Sequence, residues 1–222
     1  MSEKTILCYG DSNTWGWNPA TMSRFGVKER WPGVLQDGLG AGYRVIEEGM
    51  NARTTGGDDP LEPHRNGKTY LAPCLMSHMP LDLVLILLGT NDLKTRFGAS
   101  SYEIADAAGK LVRLVQQSEA GPNGSAPEVL LCAPPPIGDV SRFGGDDPAY
   151  GGVELSWQGA REKSARFGEQ YRRVAEAYGC GFFDVATVVT ANPLDGIHWD
   201  AESHRALGEA LAAVIRGAAA FP

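Results

Sequence analysis

The sequence predicts an α/β fold: a sandwich with a five-stranded, mainly parallel sheet and helices on both faces. Two observations carry this prediction. Short apolar runs that favour strands alternate five times with stretches of helical periodicity, and no repeat or low-complexity linker interrupts them. Residues 81–88 are apolar at nearly every position, which is typical of a strand covered on both faces in a parallel sheet.

The strand predictions rest on short apolar runs, each ended by residues that break a strand. Gly10 follows the first run, and the prolines at 134–136 close the fourth. Because these breakers bound the runs closely, each strand is short. The five strands are predicted at residues 5–9, 43–46, 81–88, 129–133 and 181–185.

The helix predictions rest on apolar residues that recur at helical spacing between the strands. Pro80 stops the second helix, Ser100 or Ser101 caps the third, and Asp200 or Ala201 opens the last. The five helices are predicted at residues 31–39, 69–79, 101–118, 155–178 and 201–216. Residues 49–68 are dense in Gly, Pro, Asn and Asp and are predicted to form a loop.

Composition narrows the classes of function. The 222 residues favour one domain over 1–222, and a net charge of -7 without a Lys/Arg run argues against a nucleic-acid partner. No stretch approaches the roughly 18 apolar residues of a membrane span, and no leader pattern is present, so we expect a cytoplasmic protein.

The four cysteines match no zinc spacing and are expected to be reduced. No nucleotide-binding motif is present, and no cofactor is expected.

Polar residues suited to catalysis follow several predicted strands. Ser12 comes after the first strand, residues 51–55 after the second and Asn91 after the third, while Asp195 and His198 precede the last helix. In parallel sheets, ligands bind outside the carboxyl ends of the strands. We therefore expect these residues to meet at one edge of the sheet.

The spacing of Asp195 and His198 favours a nucleophilic serine. A serine hydroxyl needs a base to take its proton, and the base needs a third group that fixes its tautomer. Gly196 permits a tight bend, so one loop can present both the carboxylate and the imidazole to Ser12. The alternatives are that Ser12 only caps a helix and that His198 is structural.

Other polar residues have weaker interpretations. Asn91 is either a turn residue or an amide donor to an oxyanion, and Asp92 is expected to tie down the loop backbone. The other three histidines, at 64, 78 and 204, have no acidic partner at useful sequence spacing, and His204 is expected either at the surface or in a helix-cap network. A metal set of Asp195, His198, Asp200 and His204 would leave Ser12 and Asn91 unexplained, so no metal is expected.

The motifs GDSNTWGW, GTND and DGIH, in this order from Gly10 to His198, resemble those of the SGNH hydrolases, or GDSL esterases. The resemblance implies a flavodoxin-like three-layer α/β/α fold and ester hydrolysis through a Ser-His-Asp triad without a metal. It assigns Ser12 as nucleophile, Asp195 and His198 as its partners, and Asn91 together with the Ser12 amide to the oxyanion hole.

Two segments depart from the pattern of these hydrolases. Where they carry a glycine whose N–H joins the oxyanion hole, this chain has EGMNART, so we assign the role to Ala52, with Gly49 as the alternative. Their usual leucine after the serine is Asn13 here. We expect Asn13, Trp17 and Ile197 to contact the substrate.

Longer segments are similar to a bacterial arylesterase/acyltransferase subgroup: RWPGVL, EEGMNARTT, DDPLEPHRNGKTYL and MPLDLVLILLGTNDLK. This similarity implies short-acyl and aryl ester substrates, acyl transfer to alcohols or peroxide, and a homo-oligomer such as an octamer. We expect the long loops at 18–30, 56–68 and 137–153 to build subunit contacts.

Two alternatives stay open. One is a carbohydrate O-deacetylase, in which Trp15, Trp17 and Trp31 stack on sugar rings instead of packing in the core or at an interface. The other is a binding protein without activity, although such a protein is expected to lack the nucleophile or the base.

Overall fold

The computed structural model of the chain describes residues 3–143 and 152–217. The predicted loop at 137–153 thus lies partly outside the described residues. The strands are β1 (Lys4–Gly10), β2 (Trp17–Asn18), β3 (Ser23–Arg24), β4 (Tyr43–Gly49), β5 (Leu83–Leu87), β6 (Glu128–Ala133) and β7 (Gly181–Asp184). The α-helices are α1 (Ser12–Trp15), α2 (Trp31–Leu39), α3 (Gly67–His78), α4 (Ser101–Gln116), α5 (Ala160–Ser164), α6 (Phe167–Tyr178) and α7 (Ala201–Gly217).

The central sheet has five strands in the order β4-β1-β5-β6-β7, and every neighbouring pair is parallel. All five residues of β5 are buried, as expected for the middle strand of a sheet that is covered on both faces. The predicted α/β fold with a five-stranded parallel sheet is confirmed. Since the strands are parallel, their carboxyl ends share one edge, and the loops after them converge there.

Helices cover both faces of the sheet because side chains alternate along each strand. Leu7 and Tyr9 of β1 face a core formed with α3, α4 and α6. Ile6 and Cys8 of the same strand face a second core formed with α2 and α7. The result is the three-layer arrangement expected from the sequence.

One predicted helix, at 155–178, is wrong as a single element. The segment contains a 3₁₀ helix (Val153–Trp157), then α5, then α6. Gly159 adopts a left-handed conformation, with a φ of 71°, and interrupts the backbone hydrogen bonds. The apolar spacing continues across Gly159 because the 3₁₀ helix and α5 on either side of it bury Trp157 and Ala160 in the same core, which explains the misleading periodicity. A further interruption separates α5 from α6.

Smaller differences concern turns and caps. The short hairpin of β2 and β3 lies, apart from Trp17, within the loop expected at 18–30, since strands of two residues carry no periodic signal. Helix α3 begins two residues early because the Asn66 side chain accepts hydrogen bonds from the amides of Lys68 and Thr69. Ser100, and not Ser101, caps α4, in a capping box with Glu103.

All four cysteines are free, as expected. Three of them, Cys8, Cys74 and Cys132, are buried in the two cores. Within the described ranges, none of the helices has the length and apolar character that a membrane crossing requires.

A buried tyrosine joins α6 to the end of the central strand. The Tyr171 hydroxyl donates a hydrogen bond to the Leu88 carbonyl, at 2.6 Å. We expect Tyr171→Phe to lower the free energy of unfolding by about 1–3 kcal/mol, because the buried carbonyl loses its donor. Urea denaturation measures this change. The matched control is Tyr178→Phe, which removes an exposed hydroxyl 3.4 Å from Lys110; equal effects of the two substitutions would contradict the prediction.

Candidate active site

Ser12 is the first residue of α1 and follows the end of β1 by one intervening residue, Asp11. Asp11 is the N-cap, and its side chain accepts a hydrogen bond from the Asn13 amide at 3.0 Å. Capping is therefore done by Asp11, so the Ser12 hydroxyl is available for another partner. Burial raises the pKa of Asp11 to about 6. Gly10 makes the sharp turn possible, since a Cβ there would overlap the Thr14 side chain and the Leu87 carbonyl.

Asp195 and His198 lie in the loop before α7, folded into a tight turn around the aspartate. One Asp195 carboxylate oxygen accepts hydrogen bonds from the amides of Ile197 and His198, both at 2.9 Å. Gly196 has a φ of 72°, and a Cβ there would overlap the main chain of Asp139. The glycine is thus needed both for the turn and for the close approach of the neighbouring loop.

The three side chains form a continuous line of polar contacts. His198 Nε2 lies 2.9 Å from Ser12 Oγ, and His198 Nδ1 lies 2.6 Å from Asp195 Oδ2. Burial acts to raise the pKa of Asp195, but the hydrogen bonds from the His198 ring and from two amides outweigh it, so the pKa is below its usual value. Asp195 is therefore ionised near neutral pH and can hold the imidazole with Nδ1 protonated.

Asn91 and Ala52 line the cavity that Ser12 and His198 also line. Asn91 follows β5, and its Nδ2 donates a hydrogen bond to the Arg53 carbonyl at 3.1 Å. Ala52 has a φ of 62° and lines the same cavity as Ser12 and Asn91. Gly49 instead packs against α1, where a Cβ would overlap the Trp15 main chain. Of the two residues proposed for the second amide, Ala52 is the one at the cavity.

Asp92 ties down the loop after β4, as its sequence position suggested. Its carboxylate accepts hydrogen bonds from the Thr55 amide, at 3.0 and 3.1 Å, and from the Thr55 hydroxyl, at 2.5 Å. Burial raises the pKa of Asp92 to about 7. Asn91 and Asp92 therefore clamp residues 53–55 from the same turn.

Arg53 is a buried residue of the site that sequence reasoning missed. Its guanidinium stacks on the Tyr9 ring, at 4.2 Å from the ring centroid, and donates to the carbonyls of Gly10 and Glu48. Arg53 thus joins the end of β1 to the loop that carries Ala52. One indication of its role was present in the sequence, since it is an arginine within a loop rich in small residues. The residues that it contacts cannot be inferred from the sequence.

A cavity of about 650 Å³ opens over these groups. Trp17 and Ile197 line it, as expected for substrate contacts, and the Trp17 ring lies 5.8 Å from the His198 ring. Asn13 is buried, and its amide group contacts the Ile197 carbonyl at 3.4 Å instead of lining the cavity. Trp31, another tryptophan considered for sugar stacking, is instead buried in the core formed with α2 and α7.

One side of the cavity carries charges that sequence reasoning also missed. We call Glu62, Lys94 and Arg96 the charged wall. Glu62 Oε1 lies 3.3 Å from Lys94 Nζ and 3.1 Å from Arg96 Nη2. Burial lowers the pKa of Lys94, and Glu62 opposes that shift. About thirty positions separate Glu62 from the two cations along the chain, so only the fold brings them together.

His204 is fully buried, so of its two expected positions the surface is wrong, while a helix-cap network is consistent with its contact to Trp31, the first residue of α2. Its Nδ1 accepts a hydrogen bond from the Trp31 amide at 3.3 Å, and its ring packs against Phe25 and Trp199. The last helix places it on the face packed against α2 and not at the cavity, so it does not join Asp195 and His198 in a metal set. Burial lowers the pKa of His204 to about 3.

Residues 8–206 match the GDSL-like lipase/acylhydrolase family. The chain belongs to this family. Among solved structures it is similar to a carbohydrate acetylesterase from Sinorhizobium meliloti, with 41% identity, a TM-score of 0.88, and coverage of 97% of this chain and 99% of that one. It is equally similar to the aryl esterase of M. smegmatis, with 41% identity, a TM-score of 0.88, and coverage of 96% and 99%.

A curated relative gives a more partial match. An acetylxylan esterase from Xylanibacter ruminicola is 31% identical over 145 residues, or 59% of this chain, and the match spans 28% of the length of that relative. Together, the family and the two solved structures identify this protein as a carboxylic ester hydrolase of the SGNH fold, which confirms the resemblance seen in the motifs.

The buried His204 predicts a loss of stability in acid. It is neutral in the folded protein down to about pH 3, while the unfolded chain binds a proton near pH 6.5, so stability falls as the pH drops between these values. We expect His204→Asn, which can keep an acceptor for the Trp31 amide, to lessen this fall. Thermal melting from pH 8 to pH 4 measures it.

The control for the acid experiment is the exposed His64, replaced by Asn. This substitution should leave the pH dependence of melting unchanged. A wild-type slope that His204→Asn does not alter would contradict the assignment of acid sensitivity to this ring.

Proposed function

We propose that the protein hydrolyses short-chain and aryl carboxylic esters through an acyl-enzyme on Ser12. The observation that carries the proposal is the line of contacts from Ser12 through His198 to Asp195, at 2.9 and 2.6 Å, beside a cavity of about 650 Å³. A hydroxyl, an imidazole and a carboxylate in this order match the requirements of an activated serine nucleophile.

In the proposed mechanism, Ser12 Oγ attacks the ester carbonyl while His198 Nε2 takes its proton. Asp195 holds the proton on Nδ1 and stabilises the imidazolium that forms. The negative charge on the carbonyl oxygen is stabilised by the amides of Ser12 and Ala52 and by the Asn91 side chain. Asn91 Nδ2 carries two hydrogens, so its bond to the Arg53 carbonyl leaves one for the oxyanion.

The intermediate collapses when His198 gives its proton to the leaving alcohol or phenol, which leaves the acyl group on Ser12. A water molecule, deprotonated by the same imidazole, then attacks the acyl-enzyme and releases the carboxylic acid. We include acyl transfer in the proposal, because an alcohol or a peroxide that enters the cavity can replace water in this step. Apolar side chains support this, since Trp17, Val153 and Trp157 line the cavity.

Replacement of the nucleophile tests the mechanism. We expect Ser12→Ala to lower kcat for p-nitrophenyl esters by about 10⁴-fold or more, because no group can then form the acyl-enzyme. The assay runs from acetate to octanoate, with the highest rates expected for the shortest acyl chains. Melting curves check that the variant is folded.

The control for the nucleophile is Ser156→Ala, a serine that lines the same cavity but lies outside the line of contacts. It should keep most of the activity. Ester hydrolysis that survives in Ser12→Ala, or that is lost equally in Ser156→Ala, would rule out the covalent route through Ser12.

The charged wall favours a second candidate, a carbohydrate O-deacetylase on the same catalytic groups. Lys94 and Arg96 offer hydrogen-bond donors and Glu62 offers acceptors, a set that suits the hydroxyl groups of a sugar. Lys94 Nζ also lies 5.8 Å from the Trp157 ring centroid, so polar and aromatic groups adjoin. The similar carbohydrate acetylesterase and acetylxylan esterase support this candidate.

Removal of one charge from the charged wall distinguishes the two candidate functions. If the natural substrate is an acetylated sugar, we expect Lys94→Met to lower kcat/KM for acetylated xylo-oligosaccharides about tenfold, with little effect on p-nitrophenyl acetate. Methionine keeps an apolar stem against Trp157. The exposed Lys110→Met is the control. Equal changes for both substrates would favour the arylesterase.

Homo-oligomerisation belongs to the proposal as well. Met22 and Leu194 line the cavity and are nearly half exposed, at 47% and 46%, and Leu61 beside the charged wall is 73% exposed. Exposed apolar side chains near a cavity mouth are suited to burial in an interface. A second copy that covered them would narrow the mouth of the cavity.

A further inference from the structure

A second group of chemically capable side chains lies away from the cavity, between β4 and α3. It consists of Glu48, the penultimate residue of β4, and of Cys74 and His78 on α3. The donor atoms of the three side chains all lie within 4.8 Å of one another, and Glu48 Oε1 is 2.8 Å from His78 Nε2. None of the three takes part in the proposed esterase mechanism.

The local structure explains why these groups meet. Cys74 and His78 are four residues apart on α3 and therefore share one helical face. That face lies against the end of β4, an edge strand of the sheet, where Glu48 is opposite both residues. Sequence reasoning found no acidic partner for His78, because Glu48 is thirty positions away.

The donor set has a defined chemical preference. A thiolate and an imidazole with one carboxylate suit a borderline-soft cation such as Zn²⁺, whereas Ca²⁺ and Mg²⁺ require several oxygen donors. Ligand atoms on a tetrahedral zinc are about 3–4 Å apart. The observed separations of up to 4.8 Å would thus have to close by about an ångström on binding, through movement of the partly exposed His78 and Glu48 side chains.

Burial and access are also consistent with a cation site. Cys74 is 1% exposed, while the side chains of His78 and Glu48 are 26% and 19% exposed, so the cluster is open on one side. An entering cation could keep a water molecule as its fourth ligand on that side.

We propose that Glu48, Cys74 and His78 bind one thiophilic divalent cation of the Zn²⁺ type, at a site separate from the esterase centre. On binding, the Cys74 thiol loses its proton to solvent, the thiolate bonds to the metal, and no oxidation state changes. Burial and the adjacent Glu48 carboxylate raise the pKa of the free thiol to about 12, whereas the nearby Arg53 guanidinium and the charge of a bound metal favour the thiolate.

A cation bound at this site would contact the end of β4, which leads into the loop that carries Ala52. Glu48 also accepts a hydrogen bond from Arg53 through its main-chain carbonyl, and Arg53 is adjacent to Ala52. Because the metal would bind only when β4 and α3 are folded together, it should raise the melting temperature.

Titration of the chelator-stripped chain with Co²⁺ and Zn²⁺ tests the proposal. We expect one equivalent to bind, a thiolate-to-Co²⁺ charge-transfer band in the near ultraviolet, and a higher melting temperature with Zn²⁺. Cys74→Ser should abolish the band, and His78→Gln and Glu48→Gln should weaken binding at least about tenfold. His78 is partly exposed, so His78→Gln keeps the experiment valid if Cys74→Ser unfolds.

Two matched control variants test whether the loss of metal binding is specific to the three proposed ligands. Cys180→Ser and His64→Gln change the same residue types elsewhere in the chain and should bind like the wild type. His198→Ala should also bind one equivalent. Loss of binding in His198→Ala, a Co²⁺ spectrum without a thiolate band, or no binding at all would each overturn the proposal, whatever the esterase assays show.

Discussion

The site depends on a close contact between α1 and the ends of two strands. Gly10 and Gly49 are register partners at the carboxyl ends of β1 and β4, and α1 packs directly over them. A side chain at either glycine would overlap α1, at Thr14 or at the Trp15 main chain. Because no side chain stands there, the helix can begin at Ser12, immediately beyond the sheet.

A buried polar network then fixes the second half of the site to the first. Arg53 donates to the carbonyls of Gly10 and Glu48, Asn91 donates to the Arg53 carbonyl, and Asp92 holds Thr55. A buried guanidinium is costly unless its donors are satisfied, and here the carbonyls and the Tyr9 ring offset much of that cost. The groups proposed to bind the oxyanion are thus held in place before a substrate arrives, as electrostatic stabilisation requires.

Three buried carboxylates near Ser12 illustrate how surroundings decide a role. Burial raises the pKa of Asp11 to about 6 and of Asp92 to about 7, although both accept hydrogen bonds. Asp195 is also buried, but the bonds from the His198 ring and two amides lower its pKa. Asp195 is therefore the one of these three best able to stay charged beside an imidazole, which suits the part proposed for it.

Local patterns in the sequence determined the five strands of the sheet, their order along the chain, and the candidates Ser12, Asn91, Asp195 and His198. Apolar runs and strand ends are properties of neighbouring residues, and the loops after parallel strands all meet at the carboxyl edge of the sheet. The tertiary structure alone decided the break at Gly159, the burial of His204, the partners of Arg53, the charged wall and the cluster of Glu48, Cys74 and His78. Most of these features join residues about thirty or more positions apart, and at such separations the position in the sequence does not indicate the distance in space. The break at Gly159 was hidden because its flanking helices share one core.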